Sequence, residues 1–448
     1  MHFNEFKNHV IAACAAAGIT EYELYYQSST SVSAGAFQHS INEFTSSIGG
    51  GVCFRCIVDG KMGYASTEDL SEAQAKLIVA KAADAASVLE AEEQVFLGEG
   101  GQEYETLDLT GYELPGTEEL IEAVLATQEK LYAADPMVID GCQTQGISQR
   151  AEVAIYNSKG LDLSYASNAS GLIAVGVVSN GTEMSNDFNF KLGKLSDIDV
   201  SALVGKAVEN AKIKLGGDIA PTGQYPVVFS PEAMSSLLQV FSSVFSSEAA
   251  QKGLSQLAGK EGEMVAAEVV TLVDDPFHAE NPEPIHFDAE GSPTHKKNII
   301  EGGKLNTLLY NLKTAAVAGK KTTGNASKAG YDAAVAVRPF TMYLANGTMT
   351  EEELLASVGE GILITDLQGL HAGANPISGD FSLQSAGFMI HDGKKAEYVK
   401  SFTVAGNFYQ VLKNIKALAN NCHLPMAMGM TAFGSPSVLV EGLTIAGK

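Results

Sequence analysis

Two glycines at 216–217, followed by Pro221-Thr222-Gly223, interrupt every regular pattern near the middle of the chain. No helix or long strand runs through such a cluster of breakers. A domain border near residue 222 follows, because 448 residues and 47.0 kDa exceed what one ordinary core encloses. The two sides read differently. Residues 1–222 mix helical and strand-like segments, an N-terminal α/β-type domain of sheet and helices. Residues 223–448 read as mostly antiparallel strands and long loops with few helices, so the fold class is α+β.

Before the border, Phe3 to Ala17 has helical spacing and residues 21–29 read as a strand. A second strand region runs through Phe44, and Asp59-Gly60 reads as a hairpin turn. Further helices are expected over about 70–89, with a cap within Ser66 to Asp69, over 117–134 and over 198–215. Residues 91–116 suggest a connector, and 138–185 suggest hairpins turning at Asn157 to Gly160. After the border, Ser230-Pro231-Glu232 opens a helix with serine capping and proline in the first turn, extending to about Ala250. Two more helices are expected, at 351–359 and 408–419.

The charge balance excludes one large class of function. With 53 acidic against 29 basic residues the net charge is -24, which repels a phosphate backbone, and no Lys/Arg-rich stretch offsets it. Direct nucleic-acid binding is disfavoured. No apolar run spans a bilayer, and the Val10 to Gly18 stretch is too interrupted for a signal core, so no membrane role is expected. Five cysteines without a framework fit a reducing compartment, the cytoplasm. Cys53 and Cys56 form a C-x-x-C beside a hairpin turn, where two small strand residues explain them better than a redox pair.

Other motifs lack the spacing that chemistry needs. His278, His286 and His295 lie among Asp274, Asp275, Glu280, Asp288 and Glu290, but eight and nine residues apart across a proline-broken loop. That is neither a zincin helix nor a short ligand turn, and a polar loop beside a cleft fits better. Cys422-His423 is weaker still. Around Lys320 a Walker-like run lacks its first glycine and its Ser/Thr, leaving Lys320, Lys321 and Lys328 as a solvated basic loop or a carboxylate anchor. No G-x-S-x-G elbow is present.

The stretch from His371 to Leu412 is different in kind, crowding glycines and short polar residues into a non-repetitive run. Such a run shapes a crevice. Asn375, Ser378, Gly379, Asp380, Phe381, Ser382, Gly406 and Asn407 are the candidate peptide-groove residues, their backbone suited to strand addition by an extended peptide. Tight turns and a dimer contact account for the same glycines equally well.

Three ordered sets of segments together resemble one family: GVCFRCIVDGKMGYASTEDL, then FDAEGSPTHKKNIIEGGKLNTLLYNLKTAAVAGKKTTGNA, then GANPISGDFSLQSAGFMI through FTVAGNFYQVLKNI to PSVLVEGLTIAGK. The chain resembles the TldD/PmbA family, also labelled modulator of DNA gyrase, in its PmbA (TldE) branch. The resemblance implies a cytoplasmic peptidase system in which a zinc-bearing TldD-like subunit, with a helical HExxxH, pairs with a TldE-like subunit around unfolded or short peptides. Where that motif would fall, this chain reads Met234-Ser235-Ser236-Leu237-Leu238-Gln239-Val240-Phe241-Ser242-Ser243, with no histidine and no carboxylate. No zinc ligand or catalytic residue carries over, so zinc is expected on the partner only. Two alternatives stay open: a non-enzymatic homodimeric peptide-binding protein, and a hydrolase with an unrecognised metal-independent site.

Overall fold

The computed structural model describes residues 1–90, 94–105, 111–281, 283–425 and 431–448; of the 91–116 connector, 91–93 and 106–110 lie outside them. The chain divides into two units: an N-terminal unit of 1–216, 289–293 and 328–335, and a C-terminal unit of 217–288, 294–327 and 336–448. Two short excursions of the C-terminal half therefore complete the N-terminal unit. Among the described residues no helix is long and apolar enough to cross a membrane.

The N-terminal unit is built on strands β1 (Glu21–Phe37), β2 (Ser40–Val58), β3 (Lys61–Thr67), β4 (Gln143–Asn157), β5 (Asp162–Ser179) and β6 (Met184–Leu192). They form a sheet in the order β3-β2-β1-β4-β5-β6, antiparallel at every pairing. The long strands carry two cores, one at each end. At one end helices α1 (Phe3–Ala17) and α2 (Glu72–Val88) pack Phe6, Val10, Cys14, Ile78 and Ala82 against Leu24, Val52 and Phe54. At the other, α3 (Thr117–Ala133) and α4 (Val200–Ile213) pack Leu120, Val124, Leu131 and Leu203 against Ala34, Ala36 and Leu172. The apolar residues of α1 recur every four positions, which puts them on one face. Ser71 caps α2, two residues beyond the window read from sequence.

Within this unit a charged group is buried in the sheet. Glu23 and Arg55 lie on paired strands, their carboxylate and guanidinium 2.7 Å apart and both almost fully buried. Asn157 Nδ2 donates to the second Glu23 oxygen at 3.2 Å. Lys328, expected in a solvated loop, is instead only 7% exposed, with Nζ 4.7 Å from the Tyr25 ring centre. It belongs to an excursion whose position no local pattern specifies. Cys53 and Cys56, three residues apart on β2, point to opposite faces and do not form a pair. Burial pushes the Cys56 thiol up to about 11, the behaviour of an inert core residue.

In the C-terminal unit the larger sheet comprises β7 (Asp218–Ile219), β8 (Gly223–Phe229), β15 (Gly361–Gln368), β16 (Asp380–His391), β17 (Lys394–Asn407), β18 (Ile415–Leu418) and β20 (Val438–Ala446). Its order is β18-β20-β8-β15-β16-β17-β7, mostly antiparallel, with β8–β15 and β17–β7 parallel. A second sheet orders β11 (Lys304–Leu305), β10 (Lys297–Glu301), β9 (Leu272–Asp274), β14 (Thr341–Leu344) and β19 (Ala432–Gly434); β12 (Ala326–Ser327) and β13 (Ala336–Val337) pair separately. Around them lie helices α5 (Pro231–Phe241), α6 (Ser247–Gln251), α7 (Leu312–Ala318), α8 (Glu351–Val358), α9 (Leu370–Gly373) and α10 (Phe408–Asn414).

Two helices end earlier than their sequence suggests. The one opening at Ser230 stops at Phe241, because Ser242 turns its hydroxyl onto the Gln239 carbonyl and Ser246 starts a new helix by capping Ala249. That at 408 stops at Asn414, where Ile415 leaves to pair with Val440 of β20. Helix α7 is not legible in the sequence. It closes at Gly319 with φ 65, so the Walker-like lysine follows a helix C-terminus, the wrong end for phosphate, and pairs with Glu261.

Candidate functional site

Helix α5 divides the surroundings of the site into a buried and an open flank. Its N-terminus is fixed by Ser230, whose Oγ accepts from the Ala233 amide at 3.3 Å. Met234, Leu237, Leu238 and Phe241 are fully buried and enter the core of the unit. On the other flank Gln239 and Ser243 are exposed and line, with Ser242, Thr431 and Arg338, a cleft of about 680 Å³. Val240, Val337, Pro339 and Phe433 give the same cleft an apolar floor. Lys252 is held by Glu248 at 2.6 Å, whereas Arg338 is exposed and has no ion-pair partner among the described residues.

The buried flank leads to the glycine-rich run. Phe241 stacks on Phe408 with ring centres 4.6 Å apart and meets Phe381 edge-on at 6.2 Å. On this aromatic cluster rests the turn holding all the groove candidates. Asn407 ties it together: its Nδ2 donates to the Ser378 carbonyl at 2.9 Å and to Asp380 Oδ1 at 2.8 Å, while its Oδ1 accepts from the Tyr409 amide at 3.1 Å. The Asn407 amide, with the Ser378 hydroxyl beside it, holds the Asp380 carboxyl below the usual carboxylate range. Asn375 accepts from the Ile377 amide at 3.0 Å, and Gln256 Nε2 donates to the Ser378 carbonyl at 2.9 Å.

The structure thus brings the eight candidates together, but not as an open backbone edge. Asp380 faces Asn407 and Phe381 faces Gly406 in the β16–β17 ladder, while the Asn375 amide donates to the Asp380 carbonyl at 2.9 Å on the other side. An incoming strand finds these backbone groups occupied, which corrects the strand-addition route at 378–381 and 406–407. What faces outward is the exposed rim Asn375, Asp380 and Ser382. None of the eight lines the cleft beside α5. The sequence reading missed that cleft, since its walls come from segments nearly 200 residues apart.

Gly379 shows how tightly the turn is built. It has φ +84, and a Cβ there would lie 2.5 Å from Tyr409 Cδ2. Gly379→Ala should destabilise the unit by about 1–3 kcal/mol, through backbone strain plus the clash. Urea unfolding measures this, and an unchanged midpoint would show that the turn relaxes freely.

Among the described residues the histidines of the 278–295 stretch do not gather into a metal centre. His278 sits edge-on to Tyr343 at 4.8 Å, and His286 is buried against Phe277 at 6.1 Å. Asp274 is fully buried, accepting from the Phe340 and Thr341 amides and pairing with Lys297 at 3.2 Å. Asp275 pairs with Lys296 at 3.1 Å. Among the described residues, no three His, Cys, Asp or Glu side chains converge as a metal would need. His423 Nε2 lies 3.5 Å from Glu232 Oε1, and this contact raises the His423 pKa above 6.5. A raised folded-state pKa contributes stability below the unfolded value, lost as pH rises through the folded one. His423→Gln should therefore be less stable than the parent at pH 6, by at most about 1 kcal/mol for so exposed a pair, and equal to it by pH 9. Chemical unfolding at both pH values tests this.

Comparison with known proteins adds an independent line. The family model described as PmbA/TldA metallopeptidase C-terminal domain matches residues 222–447, domain 1 matches 22–86, and the central domain 113–215. An uncharacterised protein of Methanocaldococcus jannaschii is 28% identical over 400 residues, 88% of this chain and 90% of that one. A protein of Haemophilus influenzae named metalloprotease PmbA homolog is 26% identical over 452 residues, 97% and 94% of the two chains. A Thermotoga maritima structure named for modulation of DNA gyrase superposes with TM-score 0.89 at 29% identity, covering 99% of this chain and 100% of that one. TldE from Thermococcus kodakarensis superposes with TM-score 0.87 at 25% identity, covering 98% and 99%.

Proposed function

Since this chain belongs to the PmbA/TldD metallopeptidase family, we propose that it is a TldE-like subunit, which helps bind and enclose unfolded or short peptides for cleavage by a zinc-bearing TldD-like partner. One observation carries the reading. Within the matched C-terminal domain, the end of α5 and the turn after it offer the cleft only the neutral amide of Gln239 and the hydroxyls of Ser242 and Ser243, while Met234 and Leu238 are sealed in the core. Zinc is held by imidazole, thiolate or carboxylate, so these residues do not fit the ion. Glu232, the carboxylate on this helix, is engaged by Ser230 at 2.7 Å and by His423.

What remains suits binding. An open cleft with an apolar floor, backed by neutral hydrogen-bonding groups, accepts extended chain with little sequence preference. Arg338 supplies a cation for a peptide carboxylate. On the rim of Asn375, Asp380 and Ser382, the Asp380 carboxylate is held in place by Asn407, which lowers the ordering cost of using it in binding.

The test is to purify this chain alone and with a HExxxH-bearing family partner, measure bound metal, and follow cleavage of an unfolded peptide. The isolated chain should carry no stoichiometric zinc and show no chelator-sensitive cleavage, with activity appearing in the mixture. Stoichiometric zinc with chelator-sensitive cleavage by the chain alone would overturn the proposal.

A further inference from the structure

The cleft beside α5 carries an unbalanced charge. Among the described residues three charged side chains line it, and two of them, Glu248 and Lys252, pair with each other at 2.6 Å. Arg338 is the third. It is exposed and has no ion-pair partner among the described residues. In a chain of 53 acidic and 29 basic residues, a guanidinium left open in a cleft is available to an incoming anion.

The backbone beneath this cation is clamped. The Arg338 amide donates to the Asn325 carbonyl at 3.1 Å, and Asn325 Nδ2 donates back to the Arg338 carbonyl at 3.0 Å. Asn325 is itself fully buried, and its Nδ2 also donates at 2.7 Å to Asp274 Oδ2, the oxygen that pairs with Lys297. A buried polar network thus fixes the point from which the guanidinium projects. On either side of it in sequence stand Val337 and Pro339, both buried and both part of the apolar floor with Phe433.

We infer that Arg338 binds the terminal α-carboxylate of a peptide, with the last side chain on the apolar floor, so that the cleft takes free carboxyl-terminal ends in preference to internal segments. This rests on the peptide-binding role proposed above and narrows it. The guanidinium fork matches a carboxylate bidentately. An internal Asp or Glu brings peptide backbone on both sides, whose amides and carbonyls would lie unpaired over Val337, Pro339 and Phe433, at a cost for each. A terminal residue brings backbone on one side only, and Gln239, Ser242 and Ser243 offer it hydrogen-bond partners. Repeated carboxylates are disfavoured by the net charge of -24, so the ligand class is a neutral or basic peptide ending in an apolar residue.

Fluorescence anisotropy with the full chain compares two short labelled peptides that lack Asp and Glu, end in Phe, and differ only in a free or an amidated carboxyl terminus. The free acid should bind at least about tenfold more tightly. Arg338→Gln should bring it to the level of the amide, and Arg338→Lys should restore part of the difference. A third peptide, amidated and carrying an internal Glu, should bind no better than the plain amide. The comparison of acid with amide on the parent chain does not depend on how a variant folds. Equal binding of acid and amide, a preference that survives Arg338→Gln, or an internal Glu that substitutes for the terminus would each overturn the carboxyl-terminal assignment and leave peptide binding standing. Absence of binding by all three peptides would overturn both.

Discussion

Phe241→Ala is expected to destabilise the C-terminal unit by about 3–5 kcal/mol, the cost of deleting a fully buried phenyl ring and leaving its cavity. The ring is central because of what it joins. It stacks on Phe408 at 4.6 Å and meets Phe381 at 6.2 Å, so one side chain links α5 to the first turn of α10 and to the start of β16. The stacking adds about 0.5–1.5 kcal/mol beyond buried area. For a unit of this size the melting temperature should fall by roughly 10 °C. Hydrogen exchange should rise over 231–245 and 375–382 and stay unchanged in β1. A loss under about 1 kcal/mol, or exchange confined to α5, would show that helix and turn are not mechanically coupled. Because Gln239, Ser242 and Ser243, which line the cleft, flank Phe241, the cleft wall should loosen together with the helix.

Glu23→Ala should cost the N-terminal unit a comparable amount, about 3–5 kcal/mol, for an electrostatic reason. Arg55 would remain buried at 6% exposure without the carboxylate 2.7 Å away. Burial pushes the Glu23 carboxyl above the usual carboxylate range, outweighing the Arg55 charge beside it, so the ion pair is costly to bury as well as costly to break. A double variant, Glu23→Leu with Arg55→Met, should accordingly recover most of the loss, since apolar side chains of similar size need no solvation. Urea unfolding of the parent, the single and the double variant separates the two contributions. Equal stability of Glu23→Ala and the parent would mean that water reaches the guanidinium.

Those two variants probe contacts of different legibility. The helices at 3–17 and 117–133 could be read directly, since Phe6, Val10 and Cys14, or Leu120, Val124 and Leu131, recur at the helical period. The outer half of β2 was legible only as far as Phe44. Thr45 to Gly51 is small, polar and glycine-rich, and it is a strand because β1 pairs with it. Helix α7 has seven residues and is secured by a buried Asn311–Thr314 capping box, too short a signal for periodicity. Lys328 looked solvated because the Tyr25 ring that covers it lies some 300 residues earlier.

The candidate site divides in the same way. That Met234 to Ser243 carries no imidazole, thiolate or carboxylate was decided by sequence alone, because ligand chemistry depends on residue type. The clustering of Asn375 to Ser382 with Gly406 and Asn407 was also foreseeable as a shaped surface. Only the tertiary structure decided which groups that surface exposes. The ladder between Phe381 and Gly406 consumes the backbone groups an incoming strand would need, leaving side chains as the rim, and the cleft beside α5 exists only where Gln239, Arg338 and Phe433 meet. Residue type acts locally and can be read in order along the chain. Hydrogen-bond pairing and cavity walls are set by contacts between distant segments, which no local pattern encodes.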